Sequence, residues 1–304
     1  MRVLVTGGAG FIGSHIVDAL LERHHEVAIM DNLSSGSSDN IAYPAQQKIF
    51  IRDITKDADW DVVLKEFYPE AICHQAAQPS LLRSMQEPVL DAMVNVIGTL
   101  QVIEAAKLCG AHVVMASTSA VYDVRGEQPY REDAPVKPNR PYGIAKASAE
   151  MYLKASALSH TVLRYGNVYG PRQVPVGENQ LVPHALNHIY KHSPFRVNGG
   201  GNQTRDFVYV GDVARANVQA LEERWQGVFN VSLGVPHSVN EVLKHLASYC
   251  DWEGTWTHGP PKASEPVSVM LDTSKAMVRH GYFASTPLQV GLAKTAKWYS
   301  ESVK

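Results

Sequence analysis

The chain has 304 residues, 45% of them apolar and 19% charged, a balance that excludes wholesale disorder. Lys and Arg number 28 against 30 Asp and Glu, a formal charge of −2, so the cationic surplus of a dedicated nucleic-acid binder is missing. Three scattered cysteines, Cys73, Cys109 and Cys250, exclude a disulfide framework and a thiolate zinc site.

The first half alternates short β-branched runs with helical patterns, which predicts a Rossmann-type, doubly wound parallel α/β sheet. Strands are expected at 2–6, 26–30, 48–51, 71–74, 112–117 and 161–165. Helices fit between them at 11–23, 60–67, 89–108 and 142–159. Beyond Tyr165 the texture turns loop-rich, with Gly, Pro, Asn and Gln thickening through 166–177 and 198–203. Helices are expected at 179–191, 211–222 and 239–249, and a strand at 227–231. Thr286-Pro287 reads as the start of a closing helix to about Ser300. A dinucleotide-type domain over 1–166 plus about 208–232 is expected, with a smaller substrate-binding region over 167–207 and 233–304. No apolar run approaches the ~20 residues of a membrane span, and Met1-Arg2 passes at once into a strand. A cytoplasmic setting without membrane or nucleic-acid partners is therefore expected.

Thr6-Gly7-Gly8-Ala9-Gly10-Phe11-Ile12-Gly13 follows a strand and opens a helix. Gly7, Gly10 and Gly13 let backbone N–H groups, those of Phe11 and Ile12 among them, approach a pyrophosphate at the positive end of the helix. The bland reading is a tight turn that binds nothing. Asp31 ends the second strand at the distance where a carboxylate accepts from a ribose 2′-OH and repels a 2′-phosphate, which favours NAD over NADP; alternatively it caps the loop begun by Asn32. Asp53 and Ile54, after the third strand, are placed to face the adenine.

Tyr142 and Lys146 form Y-x-x-x-K on one helical face. An ammonium beside a phenol favours phenolate, so the pair can take a hydroxyl proton as hydride leaves the same carbon. Its bland counterpart is an exposed helical pair. Ser117-Thr118-Ser119 closes a strand at its carboxyl end, where open α/β sheets hold ligands.

Together these residues resemble the extended short-chain dehydrogenase/reductase family, in particular its nucleotide-sugar 4-epimerases of the UDP-glucose type. The resemblance runs over nearly the whole chain through T-G-G-A-G-F-I-G-S-H (6–15), D-N-L-S-S-G (31–36), H-Q-A-A-Q (74–78), V-N-V-I-G-T (94–99), S-T-S-A-V-Y (117–122), P-Y-G-I-A-K (141–146), R-Y-G-N-V-Y-G-P-R-Q (164–173) and Q-T-R-D-F-V-Y-V-G-D-V-A-R-A (203–216). It implies a resident NAD and a UDP-sugar whose C4 is oxidised to a 4-keto sugar and reduced from the other face. It gives Tyr142 the role of base, Lys146 that of its tuner, and Thr118 that of hydrogen-bonding the hydroxyl. It lines the cofactor with Ala76, Ala77, Asn95 and Tyr165, and the nucleotide sugar with Asn167, Val182, Arg205, Lys262 and Glu265. Arg205 also suits a phosphate by its own chemistry, against the bland reading of a surface pair with Asp206 or Asp212.

Departures from the family pattern bear on the reaction. Lys262 stands where arginine is common, keeping charge but losing the bidentate fork. Asp123 replaces a usual glycine. Ser119 and Ala120 follow Thr118 where dehydratases and decarboxylases of the family carry acidic residues, which points to epimerisation. Val269 falls where a tyrosine excludes N-acetylated sugars. The competing enzyme readings are a 4-epimerase of UDP-glucuronate or another nucleotide sugar, and a nucleotide-sugar dehydrogenase; a non-catalytic NAD-sensing regulator would lack the Tyr142–Lys146 pair. The helices at 89–108 and 142–159 resemble the family's dimer interface, so a homodimer is expected. His184, His188 and His192 share a helical face but lack the carboxylate of H-E-x-x-H, and no metal site is expected. Trp225, Trp252, Trp256 and Trp298 are expected in the core of the smaller region.

Overall fold

The computed structural model describes residues 1–123, 126–175, 180–261 and 267–302. The chain opens with β1 (Arg2–Thr6), α1 (Phe11–Glu22), β2 (Glu26–Asp31), β3 (Lys48–Ile51), α2 (Asp57–Glu66) and β4 (Ala71–His74). Next come α3 (Leu81–Gln86), α4 (Pro88–Ala92), a π turn (Met93–Ile97) and α5 (Gly98–Cys109). β5 (His112–Thr118) runs into a 3-10 turn (Ser119–Val121), followed by α6 (Pro141–Ala155), β6 (His160–Tyr165) and β7 (Asn167–Tyr169). The remainder is α7 (Leu181–Tyr190), β8 (Phe195–Asn198), β9 (Thr204–Tyr209), α8 (Val210–Glu222), β10 (Gly227–Val231), β11 (Pro236–Ser238), α9 (Val239–Tyr249), β12 (Trp256–Gly259), α10 (Ser274–His280) and α11 (Leu288–Ser302).

Seven strands form one sheet in the order β10-β6-β5-β4-β1-β2-β3. The pairings from β3 through β6 are parallel. Val5 sits level with Ile29 on one side and Cys73 on the other. β4 is buried along its whole length and β1 from its second residue, as strands covered on both faces must be. α2, α5 and α6 send Trp60, Val102 and Leu153 into a core with Leu4, Ile72 and Met115. This is the doubly wound Rossmann-type arrangement expected from the alternating pattern. Strand order reverses between β1 and β4, and ligands of such sheets bind beyond the carboxyl ends of the strands at that point.

The chain divides into two compact units. One comprises Met1–Asp123, Pro135–Tyr165 and Val213–Phe229; the other comprises Val124–Ala134, Gly166–Asp212 and Asn230–Lys304. In the second, β9 lies between antiparallel β11 and parallel β7. β8 and β12 pair in parallel. The apolar faces of α7, α9 and α11 close over Phe207 with Leu186, Leu246 and Leu292. Ser238 accepts from Glu241 N at 3.1 Å and so starts α9.

Four local expectations need correction. α2 starts earlier than its apolar pattern, because Asp57 and Asp59 fill the first turn, where the helix dipole favours acids. The expected 89–108 helix is broken by the π turn. The whole run Pro88–Cys109 does have the length and mean hydropathy, 1.4, of a membrane span. Its inner residues Val102, Ile103, Ala105 and Ala106 are core residues of the first unit. The closing helix begins at Leu288, and the amides of Ser285 and Thr286 are taken by the Asp212 carboxylate. Trp225 belongs to the first unit, its ring 5.1 Å from Phe229, whereas Trp252, Trp256 and Trp298 pack on the second core.

Candidate active site

The first unit gathers two sets of the residues singled out above. The glycine turn forms the first. Gly7 takes φ +70°, and a Cβ there would lie 2.6 Å from Ala76 N, so only glycine lets the turn meet the end of β4. Gly7 N donates to Met30 O at 2.8 Å. Phe11, Ile12 and Gly13 begin α1, whose cap residue Gly10 offers no side chain, so their N–H groups lack i−4 carbonyls within the helix. The Asp31 carboxylate accepts from Ala9 N at 3.0 Å and Leu33 N at 2.8 Å. Burial pushes its carboxyl above the usual range against those two bonds. Asn32 donates to Asp53 at 3.1 Å. Burial works against the Asp53 carboxylate, but hydrogen bonds from Thr55 and Asn32 hold its pKa below the usual range. The Ile54 side chain is a core residue, and Trp60 Nε1 donates to its carbonyl at 2.9 Å.

Thr118 ends β5 and Tyr142 stands in the first turn of α6, after Pro141. The Thr118 hydroxyl accepts from Ala120 N at 3.1 Å and is the polar neighbour that favours the Tyr142 phenolate. Gly143 allows the approach: a Cβ there would lie 2.5 Å from the Ala120 carbonyl oxygen and 2.9 Å from Pro138. Lys146, one turn further along α6, is 2% exposed. Burial pulls its ammonium down to about 8, against the charges of Glu150 and Asp91. The Tyr142 phenol departs from expectation. Burial and the Asp91 charge push it up to about 12, outweighing the Thr118 hydroxyl.

Between these sets lies a buried network that sequence reasoning missed. Thr99, two residues past the π turn, donates to Asn95 O at 2.8 Å and therefore accepts from His74 Nε2 at 3.1 Å. With Nε2 donating, Nδ1 of the neutral ring is an acceptor, so Thr6, which also accepts from Ala76 N at 3.3 Å, donates to His74 Nδ1 at 2.8 Å. Burial and the Lys146 charge pull His74 down to about 3, so the ring stays neutral. Asn95 brackets the backbone of Gln78, accepting from its N at 3.0 Å and donating to its O at 3.1 Å. Asp91 accepts from Gln78 Nε2 and Asn95 Nδ2. The advance signals were the polar residues Asp91, Asn95 and Thr99, four apart inside an apolar helix, and the segments 74–78 and 94–99 that carry the family resemblance. Tyr165 is buried, with Asn217 Nδ2 donating to its hydroxyl at 2.8 Å. Ala77, beside Ala76, is half-buried.

The second unit holds the other predicted residues. Asn167 and Arg205 stand half-buried on the neighbouring strands β7 and β9. Arg205 Nη1 donates to Thr204 O at 2.7 Å. Asp206 and Asp212, its bland partners, are each engaged by backbone amides, Gly234 and Leu271 for Asp206, Ser285 and Thr286 for Asp212. Val182 is 2% exposed in the α7–α9–α11 core, which leaves only its backbone for a ligand. Val269 N donates to Thr204 O at 3.2 Å beside β9. Lys262 and Glu265 lie outside the described residues. His188 Nδ1 is 2.8 Å from Ser193 Oγ, and its ring is 5.1 Å from that of Phe195.

The NAD dependent epimerase/dehydratase family matches residues 3–232. The chain belongs to that family. Among its relatives, this family member is 37% identical to the UDP-glucose 4-epimerase of Mycolicibacterium smegmatis over 98% of each chain. Its fold superposes on the UDP-glucose 4-epimerase of Thermotoga maritima, solved with UDP-glucose, with TM-score 0.95, 36% identity and complete coverage of both chains. The Thermus thermophilus UDP-glucose 4-epimerase, solved with NAD, matches with TM-score 0.92 and 38% identity over 99% of each chain. A glycine turn at the β1/β4 reversal and a half-buried tyrosine with a buried lysine beyond β5 are thus the features that this member of an NAD dependent family presents in its first unit.

Proposed function

We propose that the chain is a nucleotide-sugar 4-epimerase with resident NAD, interconverting UDP-glucose and UDP-galactose in the cytoplasm. The observation that carries this reading is Thr118 set beside Tyr142, with Lys146 one helical turn beyond it. The glycine turn fits a dinucleotide: amides of Phe11, Ile12 and Gly13 suit a pyrophosphate, and the Asp31 carboxylate suits a free 2′-hydroxyl. Asn32, Asp53 and the Ile54 backbone would line the adenine side, and Ala76, Ala77, Asn95 and Tyr165 the remainder. Bound NAD supplies a reversible hydride acceptor and donor for sugar C4.

The protein's own residues handle the proton. Tyr142 accepts the 4-OH proton as the C4 hydride departs, and returns it to the 4-keto oxygen when hydride is added to the opposite face. Thr118 orients that oxygen, and the Lys146 ammonium stabilises the phenolate. A base resting near pKa 12 is unproductive at neutral pH, so activation requires positive charge beside Tyr142 in the loaded site. In the second unit Asn167, Arg205, Lys262, Glu265 and the Val182 backbone would bind the UDP moiety, Arg205 by a fork onto phosphate. Val269 would leave room for a 2-acetamido group.

An apolar stripe supports a homodimer. Met85, Val89, Met93 and Ile97 on α3, α4 and the π turn, with Ile144 and Met151 on the adjoining α6, are all at least one-third exposed.

The deciding experiment is incubation of purified protein with UDP-glucose, without added cofactor, following C4 inversion by NMR. Tyr142→Phe should lower turnover by about 10²- to 10⁴-fold while NAD remains bound. Retained turnover in that variant, or inversion that depends on added NAD, counts against the reading.

A further inference from the structure

The first unit holds one buried charge that the proton transfer above does not use. Asp91, on α4, is 1% exposed. Its Oδ1 accepts from Gln78 Nε2 at 2.8 Å and from Asn95 Nδ2 at 2.9 Å. Both donors are neutral amides, so they fix the carboxylate in place without cancelling its charge. Glu150, on α6, exerts the larger pull on the Lys146 ammonium, but it is not a charge on its own. Arg164 grips it with two bonds, at 3.0 and 2.6 Å, and that pair is close to neutral as a unit. α4 packs against α6, the helix that carries Tyr142 and Lys146. Lys146 is the cation whose charge acts on Asp91. An ammonium as deeply buried as Lys146 requires a counter-charge.

We propose that Asp91 is a positioning residue for the Tyr142–Lys146 pair: a fixed carboxylate, clamped by Gln78 and Asn95, that serves as the counter-charge of the Lys146 ammonium. The assignment deepens the reading of Tyr142 as base and rests on it. The same clamp reaches further. Gln78 Nε2 also donates to Ser80 O at 3.0 Å, and Asn95 brackets the Gln78 backbone, so the charge and the loop carrying Ala76 and Ala77 are set by one cluster.

Asp91 acts in opposite senses on its two neighbours. It favours the Lys146 ammonium and disfavours the Tyr142 phenolate. The surrounding charges leave this effect visible. From β4, His74 stays neutral. On α3, Arg83 is exposed and paired with Glu87. On α5, Glu104 and Lys107 are exposed and pair with each other. On β6, Arg164 is taken by Glu150. Thr118 contributes a neutral hydroxyl.

The test is an ultraviolet titration of tyrosinate on the purified protein, with Tyr142→Phe identifying the Tyr142 step. In Asp91→Asn that step moves to lower pH, while Asp91→Glu keeps it near the wild-type position. The acidic limb of the kcat profile moves the same way, with KM for UDP-glucose within about twofold of the wild type, since a merely structural loss would not shift a titration. Lys146→Met gives the reciprocal measurement with Asp91 in place: by linkage its carboxyl, followed by carbon NMR, titrates higher than in the wild type. An unmoved tyrosinate step in folded Asp91→Asn, or an unmoved carboxyl in Lys146→Met, overturns the proposal. A wild-type protein that shows both couplings yet turns over no UDP-sugar would overturn the epimerase reading alone and leave Asp91 as assigned.

Discussion

Thr118, at the end of β5, and Tyr142, in the first turn of α6, are brought together by the space at Gly143, and the Thr118 hydroxyl favours the Tyr142 phenolate. A methyl group at residue 143 would lie 2.5 Å from the Ala120 carbonyl oxygen. Gly143→Ala should therefore push α6 away from Thr118. Misplacement on this scale costs about a hundredfold in kcat. The variant should remain folded by circular dichroism; wild-type kcat in it would show that the close approach is dispensable.

The proposed place of Val269 in the sugar pocket makes a prediction about substrate choice. If its small side chain leaves room for a 2-acetamido group, Val269→Tyr should lower the ratio of kcat/KM for UDP-N-acetylglucosamine to that for UDP-glucose by about tenfold or more. An unchanged ratio would remove Val269 from the sugar pocket.

The apolar stripe over α3, α4, the π turn and α6 predicts association. Small-angle scattering at micromolar concentration should give the mass of a dimer. Met93→Glu combined with Met151→Glu places charge on two exposed positions and should reduce that mass by about half with the fold retained. A monomeric wild type would reject the homodimer.

Acid stability follows from two buried histidines. Burial, with the charges of Arg224 and His160, pulls His112 from 6.5 down to about 4, and His74 lies at about 3. The folded state thus binds fewer protons than the unfolded chain below pH 6.5. This stability is complete above 6.5 and is lost as pH falls toward 4 for His112 and toward 3 for His74. The thermal midpoint should drop across that window. His112→Gln should flatten the upper part of the slope, and an identical slope in the variant would assign the acid loss elsewhere.

What the amino-acid order revealed was local chemistry. The glycine turn, the strand ahead of it and the Tyr142–Lys146 spacing are short-range patterns, legible because each residue type does its work within one turn. The missing parts depend on distant neighbours. Asp91 reads as an ordinary helix acid until α4 packs on α6. Asn95 gains its meaning from Gln78, in the loop after β4. The sign of the Tyr142 shift reversed for the same reason: a lysine four residues away was visible in the sequence, whereas burial and a carboxylate from another helix were not. The return of α8 and β10 to the large sheet was legible, and Trp225 goes with it rather than with the tryptophans of the second core.

The chain of hydrogen bonds from Ala76 N through Thr6, His74 and Thr99 to the Asn95 carbonyl has one consequence for how the β4 loop is held. Each link has a single sense, and an imidazole that stays uncharged throughout the physiological range never reverses it. The loop is latched in one polarity. Replacing Thr6 by Val would leave His74 Nδ1 without its donor and Ala76 N without its acceptor; Thr99 would still fix the tautomer, but the latch would let go of the loop.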